Sequence, residues 1–180
     1  SLDVTRELIL AMQEAGADLI EIGIPFSDPV AEGPVIQEAD DRALSAGVTT
    51  DKIFDMVDDI ADKIHVPIVF MTYINPIYVY GVEKFAKRAK ACGAAGVIVP
   101  DVPFEEKEEI RGSFEAEGLV VISMVAPTSA DRVRMIAKEA KGFLYCVSSL
   151  GVTGVRTEIG TAIGDLIQTV KEECSIPCAI

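Results

Sequence analysis

Short apolar runs rich in β-branched residues alternate with amphipathic stretches along the chain, and this alternation constrains the fold more than any other feature. The runs are LIEIGI (19–24), VPIVFM (66–71), AGVIVP (95–100), LVVISM (119–124) and GFLYCV (142–147). Residues 83–93, 105–118 and 129–142 carry apolar side chains at helical spacing. Each of these segments ends near a glycine suited to a helix C-cap. Repeated strand–helix units predict an α/β fold with a parallel sheet and right-handed crossovers.

Two architectures produce this pattern, an open doubly wound sheet and a closed (β/α)8 TIM barrel. No GxGxxG motif follows a strand, so the glycines do not distinguish them. In a barrel the reactive groups lie at the carboxyl ends of several strands and in the loops that follow. The predicted strands are followed in this way by GIPFSDPVAEGP, MTYINP, PDVPFEE and SSLGVTG. The barrel is therefore favoured, and no long linker or charge block divides residues 1–180 into more than one domain.

Charge and cysteine usage exclude several classes of function. The net charge of −13 argues against a nucleic-acid partner, because binding to a phosphate backbone needs clustered lysine and arginine. The four cysteines contain no CxxC pair and the single histidine, His65, is distant from them in sequence, so no metal site is expected. Unpaired cysteines of this kind, together with the absence of a signal segment or a bilayer-length apolar run, predict a cytoplasmic protein.

Glu21 interrupts the apolar run LIEIGI. Period-2 alternation places Leu19, Glu21 and Gly23 on one face of the strand and the three isoleucines on the other. The isoleucine face suits packing against helices, so Glu21 should point into the barrel, beside a glycine that leaves room above it. A carboxylate desolvated there should have a raised pKa and could exchange protons with a substrate. The alternative is a buried glutamate paired with a lysine or arginine of a neighbouring strand.

The loop GIPFSDPVAEGP carries Ser27, Asp28 and Glu32 and is stiffened by its prolines and a glycine. Such acidic loops are commonly just solvated. Glu32 and Glu21, however, lie eleven positions apart across one strand-to-helix connection. They could therefore face each other over a substrate as two carboxylates with different tasks.

The glycine-containing segment SSLGVTG (148–154) could let backbone N–H groups approach an anion or form a mobile lid, or it could be a plain surface loop. Tyr145 faces the same side as Phe143 and could line a flat apolar pocket, although a core tyrosine is equally ordinary. His65 precedes its predicted strand, on the stability face of a barrel, which makes it a poor catalytic base. No GxSxG motif is present, so carboxylates remain for acid–base chemistry.

The run EIGIPFSDPVAEGPVIQEADDRAL (21–44) resembles the signature of tryptophan synthase alpha chains, in which a PFSDP loop follows a strand-end glutamate. The resemblance continues in register through MTYINPI (71–77), GVIVPDVPFEE (96–106), APTSADRV (126–133) and GFLYCVSSLGVTGVR (142–156). It implies a TIM barrel that cleaves indole-3-glycerol phosphate into indole and glyceraldehyde 3-phosphate without a cofactor of its own. It also implies a beta chain, which carries pyridoxal phosphate, as the partner in an alpha2beta2 assembly.

The resemblance also assigns roles to individual residues. Glu21 corresponds to the carboxylate that moves protons at the glycerol side chain and the indole carbon, and Glu32 to the one that holds the indole N–H. The implied substrate-binding residues are Ile36, Met71, Ile98, Tyr145, Thr153 and Gly154, the last through a phosphate-binding amide. Asp28 and Thr153 resemble a loop pair that closes over substrate. The segments GIPFSDP, YINPI and DVPF, with Asp28, Asn75 and Pro103, are expected to contact the beta chain.

Three departures from the family pattern accompany the match. The family often has aspartate where this chain has Glu32, and many members have arginine where it has Ser149. The family's first strand would precede Ser1, and its last strands would follow residue 180. Five strands, with a possible sixth beginning at Ile176, compare with the eight of a closed barrel. We therefore expect a single barrel domain, residues 1–180, that is incomplete at both ends.

Two other functions fit the same residues. One is another phosphate-binding barrel of aromatic biosynthesis, against which the PFSDP loop argues. The other is a non-catalytic chain that only activates a beta chain.

Overall fold

The computed structural model describes residues 1–147 and 162–180. Its strands are β1 (Ile20–Gly23), β2 (Ile68–Met71), β3 (Gly96–Ile98), β4 (Val120–Val121), β5 (Ser123–Val125), β6 (Leu144–Cys146) and β7 (Cys178–Ala179). Its α-helices are α1 (Leu2–Glu14), α2 (Pro34–Ser45), α3 (Thr50–Asp58), α4 (Ile74–Tyr80), α5 (Val82–Ala91), α6 (Glu108–Ala116), α7 (Ala130–Glu139) and α8 (Ala162–Glu173). The strands form two sheets, in the orders β1-β2-β3-β4 and β5-β6-β7, and each pairing is parallel.

One extended segment joins the two sheets. The predicted strand 119–124 is confirmed as extended backbone, but its first part, β4, pairs with β3 and its second part, β5, pairs with β6. Between them the Ile122 amide still donates to the Val97 carbonyl at 2.9 Å. Strands of a barrel are tilted and staggered, so one strand meets its two neighbours over different parts of its length. The split is therefore the curvature of a barrel wall rather than a break between domains.

The two faces of the sheet have the composition that the alternation predicts. Ile20, Ile22 and Ile24 are all buried and belong to the main core, where the outer face of the sheet packs against helices. Facing inward is a second cluster, built on the buried residues Val69, Ile98 and Ile122. Partly buried side chains from the same face of the strands surround it, namely Leu19, Met71, Val120, Met124, Phe143 and Tyr145. At the carboxyl ends of the strands, this inner face borders the place where barrel enzymes have their active sites.

The three predicted helices are confirmed as α5, α6 and α7. The glycines expected to close them have the positive φ angles that favour glycine, 91° at Gly93, 72° at Gly118 and 70° at Gly142. The glycine at position 96 has a different role, because a Cβ there would collide with the carbonyl oxygen of Val120. Gly96 thus permits the close approach of β3 and β4.

Shortly after β2 the chain forms a helix that the sequence pattern does not indicate. α4 begins at Ile74, so Asn75 and Pro76 lie in its first turn. Proline is tolerated there because the first-turn N–H groups have no partner within the helix. The Asp101 carboxylate, from the segment after β3, accepts a hydrogen bond from the Ile74 N–H at 3.0 Å. This long-range cap cannot be read from the local sequence.

Three further expectations from the sequence concern the cysteines, the last strand and membrane-spanning helices. All four cysteines are free thiols, with Cys92 and Cys146 buried. The possible sixth strand near Ile176 is confirmed as β7. Within the described ranges, β1 and β7 each pair on one side only, and the expectation of further barrel strands stays a prediction. No helix in those ranges is long and apolar enough to cross a membrane.

Candidate active site

Glu21 lies on β1, on the face that lines the inside of the curved sheet. Its Cα pairs with that of Val69, a member of the inner cluster. Gly23, the next residue on this face, has no atom within 4 Å of the place a Cβ would occupy. The space beyond the Glu21 carboxyl, toward the carboxyl end of the strand, is therefore open. No lysine or arginine in the described part of the chain forms an ion pair with Glu21.

The pKa of the Glu21 carboxyl is raised, in the direction that the sequence predicts. The side chain is solvent-accessible, yet the surrounding protein displaces enough water for desolvation to be the larger cause, and the charge of Glu32 raises the pKa further. A carboxyl group with a raised pKa can both donate and accept a proton closer to neutral pH. Because the charge of Glu32 affects the pKa of Glu21, the two carboxylates are close enough to interact electrostatically.

Glu32 is held by a tyrosine from the next strand-to-helix connection. The Tyr73 hydroxyl donates to the Glu32 carboxylate at 3.3 Å and accepts a hydrogen bond from the Ala31 N–H at 3.1 Å. Tyr73 is buried, and its ring lies 5.7 Å, centroid to centroid, from that of Phe26. Three contacts therefore attach the loop that carries Glu32 to Tyr73, which lies two residues after the end of β2.

Burial and nearby negative charge raise the pKa of the Tyr73 hydroxyl to about 12. The main cause is desolvation, and the Ala31 N–H acts in the opposite direction, while Glu32 and Asp101 add to the rise. Tyr73 therefore keeps its proton, and remains a hydrogen-bond donor to Glu32, throughout the physiological pH range.

Tyr145 is the third group of the site. It is half-buried on the inner face of β6, and its pKa is raised first by desolvation and then by the charges of Glu21 and Glu32. Its hydroxyl forms no hydrogen bond to any described residue. A hydroxyl within electrostatic range of two carboxylates, on an otherwise apolar ring, suits a residue that faces a flat ligand.

Asp40 adds a further acidic group behind Glu32. Burial raises the pKa of the Asp40 carboxyl, the Phe26 backbone N–H lowers it, and the charges of Glu32 and Asp41 raise it again. Asp40 lies on α2, within electrostatic range of Glu32. Among the described residues, no group of three or more His, Cys, Asp or Glu side chains has a geometry suited to a metal ion.

The other predicted pocket residues fall into two groups. Met71 ends β2, Ile98 ends β3 and Tyr145 lies in β6, and all three belong to the inner face. Ile98 has no exposed surface, so it supports the floor of the pocket from below. Ile36 is instead 41% exposed in the first turn of α2, at the rim near Glu32, and it is outside the inner cluster of described residues.

The predicted contact residues follow the carboxyl ends of β1, β2 and β3. Asp28 is exposed and accepts a hydrogen bond from the Ser27 hydroxyl at 2.6 Å. Asn75 and Pro103 are also exposed, the first in α4 and the second just before a turn of 3-10 helix at Phe104–Glu106. Thr153, Gly154 and Ser149, with the rest of the predicted SSLGVTG loop, lie outside the described residues.

The sequence patterns did not identify Tyr73, Asp40 or Asp101 as parts of the site. A weak signal exists for Tyr73, because it follows the end of a predicted barrel strand, where functional groups collect. Its partner Glu32 is 41 residues away. Only the packing of two successive connections against each other identifies the pair.

Comparison with known sequences gives one consistent family. A sequence profile described as "Tryptophan synthase alpha chain" matches residues 1–180. The tryptophan synthase alpha chain of Geobacillus kaustophilus is 48% identical over 179 residues, covering 99% of this chain and 67% of the relative. That of Halalkalibacterium halodurans is 47% identical over 179 residues, covering 99% of this chain and 68% of the relative.

Solved structures agree with this assignment. A tryptophan synthase a2b2 complex from Pyrococcus furiosus matches with a TM-score of 0.88 and 37% identity, covering 99% of this chain and 71% of the solved chain. The tryptophan synthase alpha subunit of Campylobacter jejuni matches with a TM-score of 0.86 and 32% identity, covering 99% of this chain and 71% of the solved chain. The predicted TIM-barrel fold is confirmed by these neighbours. By sequence and by structure, the chain belongs to the tryptophan synthase alpha chain family.

Proposed function

We propose that the protein is a lyase that cleaves indole-3-glycerol phosphate into indole and glyceraldehyde 3-phosphate, with Glu21 and Glu32 as its catalytic carboxylates. The observation that supports these roles is their shared neighbourhood: the charge of Glu32 raises the pKa of Glu21, and both act on Tyr145. Two carboxylates held in different environments can divide acid and base tasks between them.

The first step is tautomerisation of the indole ring. A proton is added at the ring carbon that bears the glycerol side chain, while Glu32 holds and accepts the proton of the indole N–H. Glu21, on the inner face of β1, exchanges the proton at the carbon. A raised pKa suits it to this task, because the carboxyl is then more readily protonated near neutral pH.

The second step breaks the carbon–carbon bond. Glu21 removes the proton of the adjacent side-chain hydroxyl, whose oxygen becomes the aldehyde oxygen of glyceraldehyde 3-phosphate. The electron pair of the broken bond returns to the ring, and Glu32 gives the proton back to the ring nitrogen. Neutral indole leaves, and both carboxylates end in their starting protonation states. The chain needs no cofactor for this sequence.

The inner face of the sheet offers the indole a matching surface. Met71 and Tyr145 are half-buried there, above the buried Ile98. A planar apolar ring between them would be desolvated, and its N–H would be the polar group that Glu32 recognises. We assign Thr153 and Gly154 to the closing loop and the phosphate contact on the family resemblance alone.

We further propose a pyridoxal phosphate-containing beta chain as the partner, in an alpha2beta2 assembly in the cytoplasm. The a2b2 complex of Pyrococcus furiosus is among the solved structures that the chain matches. Near the carboxyl ends of β1 and β2, this chain exposes apolar side chains, with Val30 73% and Val79 82% exposed. Exposed apolar groups rimmed by polar ones are typical of protein interfaces. The four free thiols agree with a reducing compartment.

Indole release from indole-3-glycerol phosphate is the decisive assay. The protein is incubated with substrate, alone and with a beta chain, and indole is quantified. Release that depends on Glu21 would support the lyase function. Stimulation of the beta chain with no indole release in either mixture would instead identify a non-catalytic activator.

A further inference from the structure

A cavity of about 200 Å³ lies between the β4–β5 segment, the 99–107 segment and the first turns of α7. Because α7 and the outward residues Val121, Ser123 and Val125 line it, most of it lies outside the barrel wall. None of Glu21, Glu32, Tyr73 and Tyr145 lines it. Most of its wall is apolar, including Val102, Phe104, Val125, Val133 and Ile136. The reaction proposed above makes no use of this space.

Lys107, in the wall of this cavity, is a nearly buried cation, with 9% of its surface exposed. Its ammonium lies 4.2 Å above the centre of the Phe104 ring and 3.6 Å from the Glu139 carboxylate. Glu139 is shared with Arg111, whose guanidinium is 3.7 Å away. In the described part of the chain, no acceptor lies within hydrogen-bonding distance of the ammonium. The ammonium thus has one ion-pair partner and one aromatic ring beside it, and its three donors make no hydrogen bond to the described residues.

Ser123 is a second polar group in the same wall. Its side chain leaves the outward face of β5, and the residue is 8% exposed. Its hydroxyl has no hydrogen-bond partner within residues 1–147 and 162–180. The hydroxyl oxygen is not among the fully buried unpaired atoms, so it keeps a surface that faces the cavity. Ser123 and Lys107 therefore both present unused hydrogen-bonding capacity at the cavity.

The amino end of α7 contributes a favourable electrostatic field. Thr128 lines the cavity and precedes the N-cap, Ser129, whose side chain makes no capping hydrogen bond. The first N–H groups of a helix lack intrahelical partners and carry partial positive charge. Arg132 also lines the cavity but is bound through two nitrogens to Glu105. The cation available to an occupant is accordingly Lys107.

We propose that this cavity is a binding site for a small carboxylate with a flat apolar body, such as a monocyclic aromatic acid. The volume corresponds to six or seven water molecules at about 30 Å³ each, which is close to the size of such an acid. The carboxylate accepts hydrogen bonds from Lys107 and Ser123, and the ring fills the apolar part. A phosphate dianion would need more donors than Lys107 and Ser123 supply.

The experiment uses benzoate as the probe, titrated into the protein by calorimetry and by NMR. We expect saturable one-to-one binding and an increase in melting temperature with benzoate concentration. Lys107→Met, which keeps the length and removes the charge, should weaken binding about tenfold or more, because a charge-assisted hydrogen bond is lost. The matched control is Lys141→Met, which removes an exposed lysine paired with Glu115.

A second variant keeps the test decisive if Lys107→Met does not fold. Ser123→Leu places apolar volume in the cavity without touching the cation, and it should abolish benzoate binding without lowering the melting temperature. Neutral benzamide should bind at least about tenfold more weakly than benzoate. The site is rejected if benzoate shows no saturation, if benzamide binds equally well, or if Lys141→Met weakens binding as much as the cavity variants do.

Discussion

The Tyr73 hydroxyl donates a hydrogen bond of 3.3 Å to the carboxylate of Glu32 and accepts one of 3.1 Å from the Ala31 N–H. One buried oxygen atom thus fixes both the backbone and the side chain of the loop that carries Glu32. Because burial and acidic neighbours raise the pKa of Tyr73 to about 12, this donor does not ionise at physiological pH. The orientation of the Glu32 carboxylate is therefore set by a residue of the neighbouring connection.

Tyr73→Phe should lower kcat/KM for indole release by roughly ten- to a hundredfold while the fold is kept, because a hydrogen bond to a charged group is typically worth about 1.5–3 kcal/mol. The control is Tyr78→Phe, which removes an exposed tyrosine–carboxylate hydrogen bond, to Glu109. Steady-state kinetics and thermal melts of both variants make the comparison. Equal kinetics for the two variants would show that Tyr73 does not position Glu32.

Glu21→Gln should abolish nearly all indole release, because it removes a proton carrier while preserving size. Positioned general acid–base groups contribute about 10²-fold or more. The control is Glu7→Gln, at an exposed position on α1. Activity of the Glu21 variant within about tenfold of the unmodified protein would contradict its catalytic role.

The same substitution should make the fold more stable at neutral pH. The pKa of Glu21 is raised in the folded protein, so the folded state binds its proton more tightly than the unfolded state does. Stability contributed by this group is therefore present below its unfolded pKa and is lost as pH rises through the raised, folded pKa. Denaturant titrations should find Glu21→Gln more stable than the unmodified protein at pH 7, with the difference vanishing below about pH 4. An unchanged difference across that range would contradict the raised pKa.

Glu32→Asp should be a milder change than Glu32→Ala in the same assay. Aspartate keeps the charge that accepts the indole proton, but it is shorter by one methylene and stretches the contact with Tyr73, now 3.3 Å. Alanine removes the acceptor altogether. Measuring kcat and KM for both variants tests the assignment, and equal losses would argue against a contact between Glu32 and the indole N–H.

Val30→Asp should weaken binding to a beta chain, because it places a charge in the exposed apolar surface near the carboxyl ends of β1 and β2. Met12→Asp is the control, since Met12 is also exposed but lies near the end of α1 that leads into the amino end of β1. Gel filtration of each variant mixed with a beta chain measures the effect. Undiminished complex formation by Val30→Asp would place the interface elsewhere.

Local periodicity was enough to predict the parallel α/β framework and the two faces of β1. Alternation with period 2 puts Ile20, Ile22 and Ile24 on one side and Glu21 on the other wherever the strand is paired. The C-cap glycines were also predictable from the sequence, because the positive φ at the end of a helix depends on a few neighbouring residues. For these features, the residues that determine the structure lie within a few positions of one another in the sequence.

Other features depend on groups that are distant in sequence, and only the tertiary structure decides them. The helix at Ile74–Tyr80 donates its amino-terminal hydrogen bond, from the Ile74 N–H, to the carboxylate of Asp101, 27 residues away. Glu32 receives its hydrogen bond from Tyr73, and Lys107 is buried because the segment that carries it packs against the outer face of the β4–β5 segment beside α7. Such pairs form when successive strand–helix connections close against one another, and the free energy of each contact depends on burial that no local pattern specifies. The sequence by itself determined which residues face the inside of the barrel, and the packing of its connections decided which of them meet.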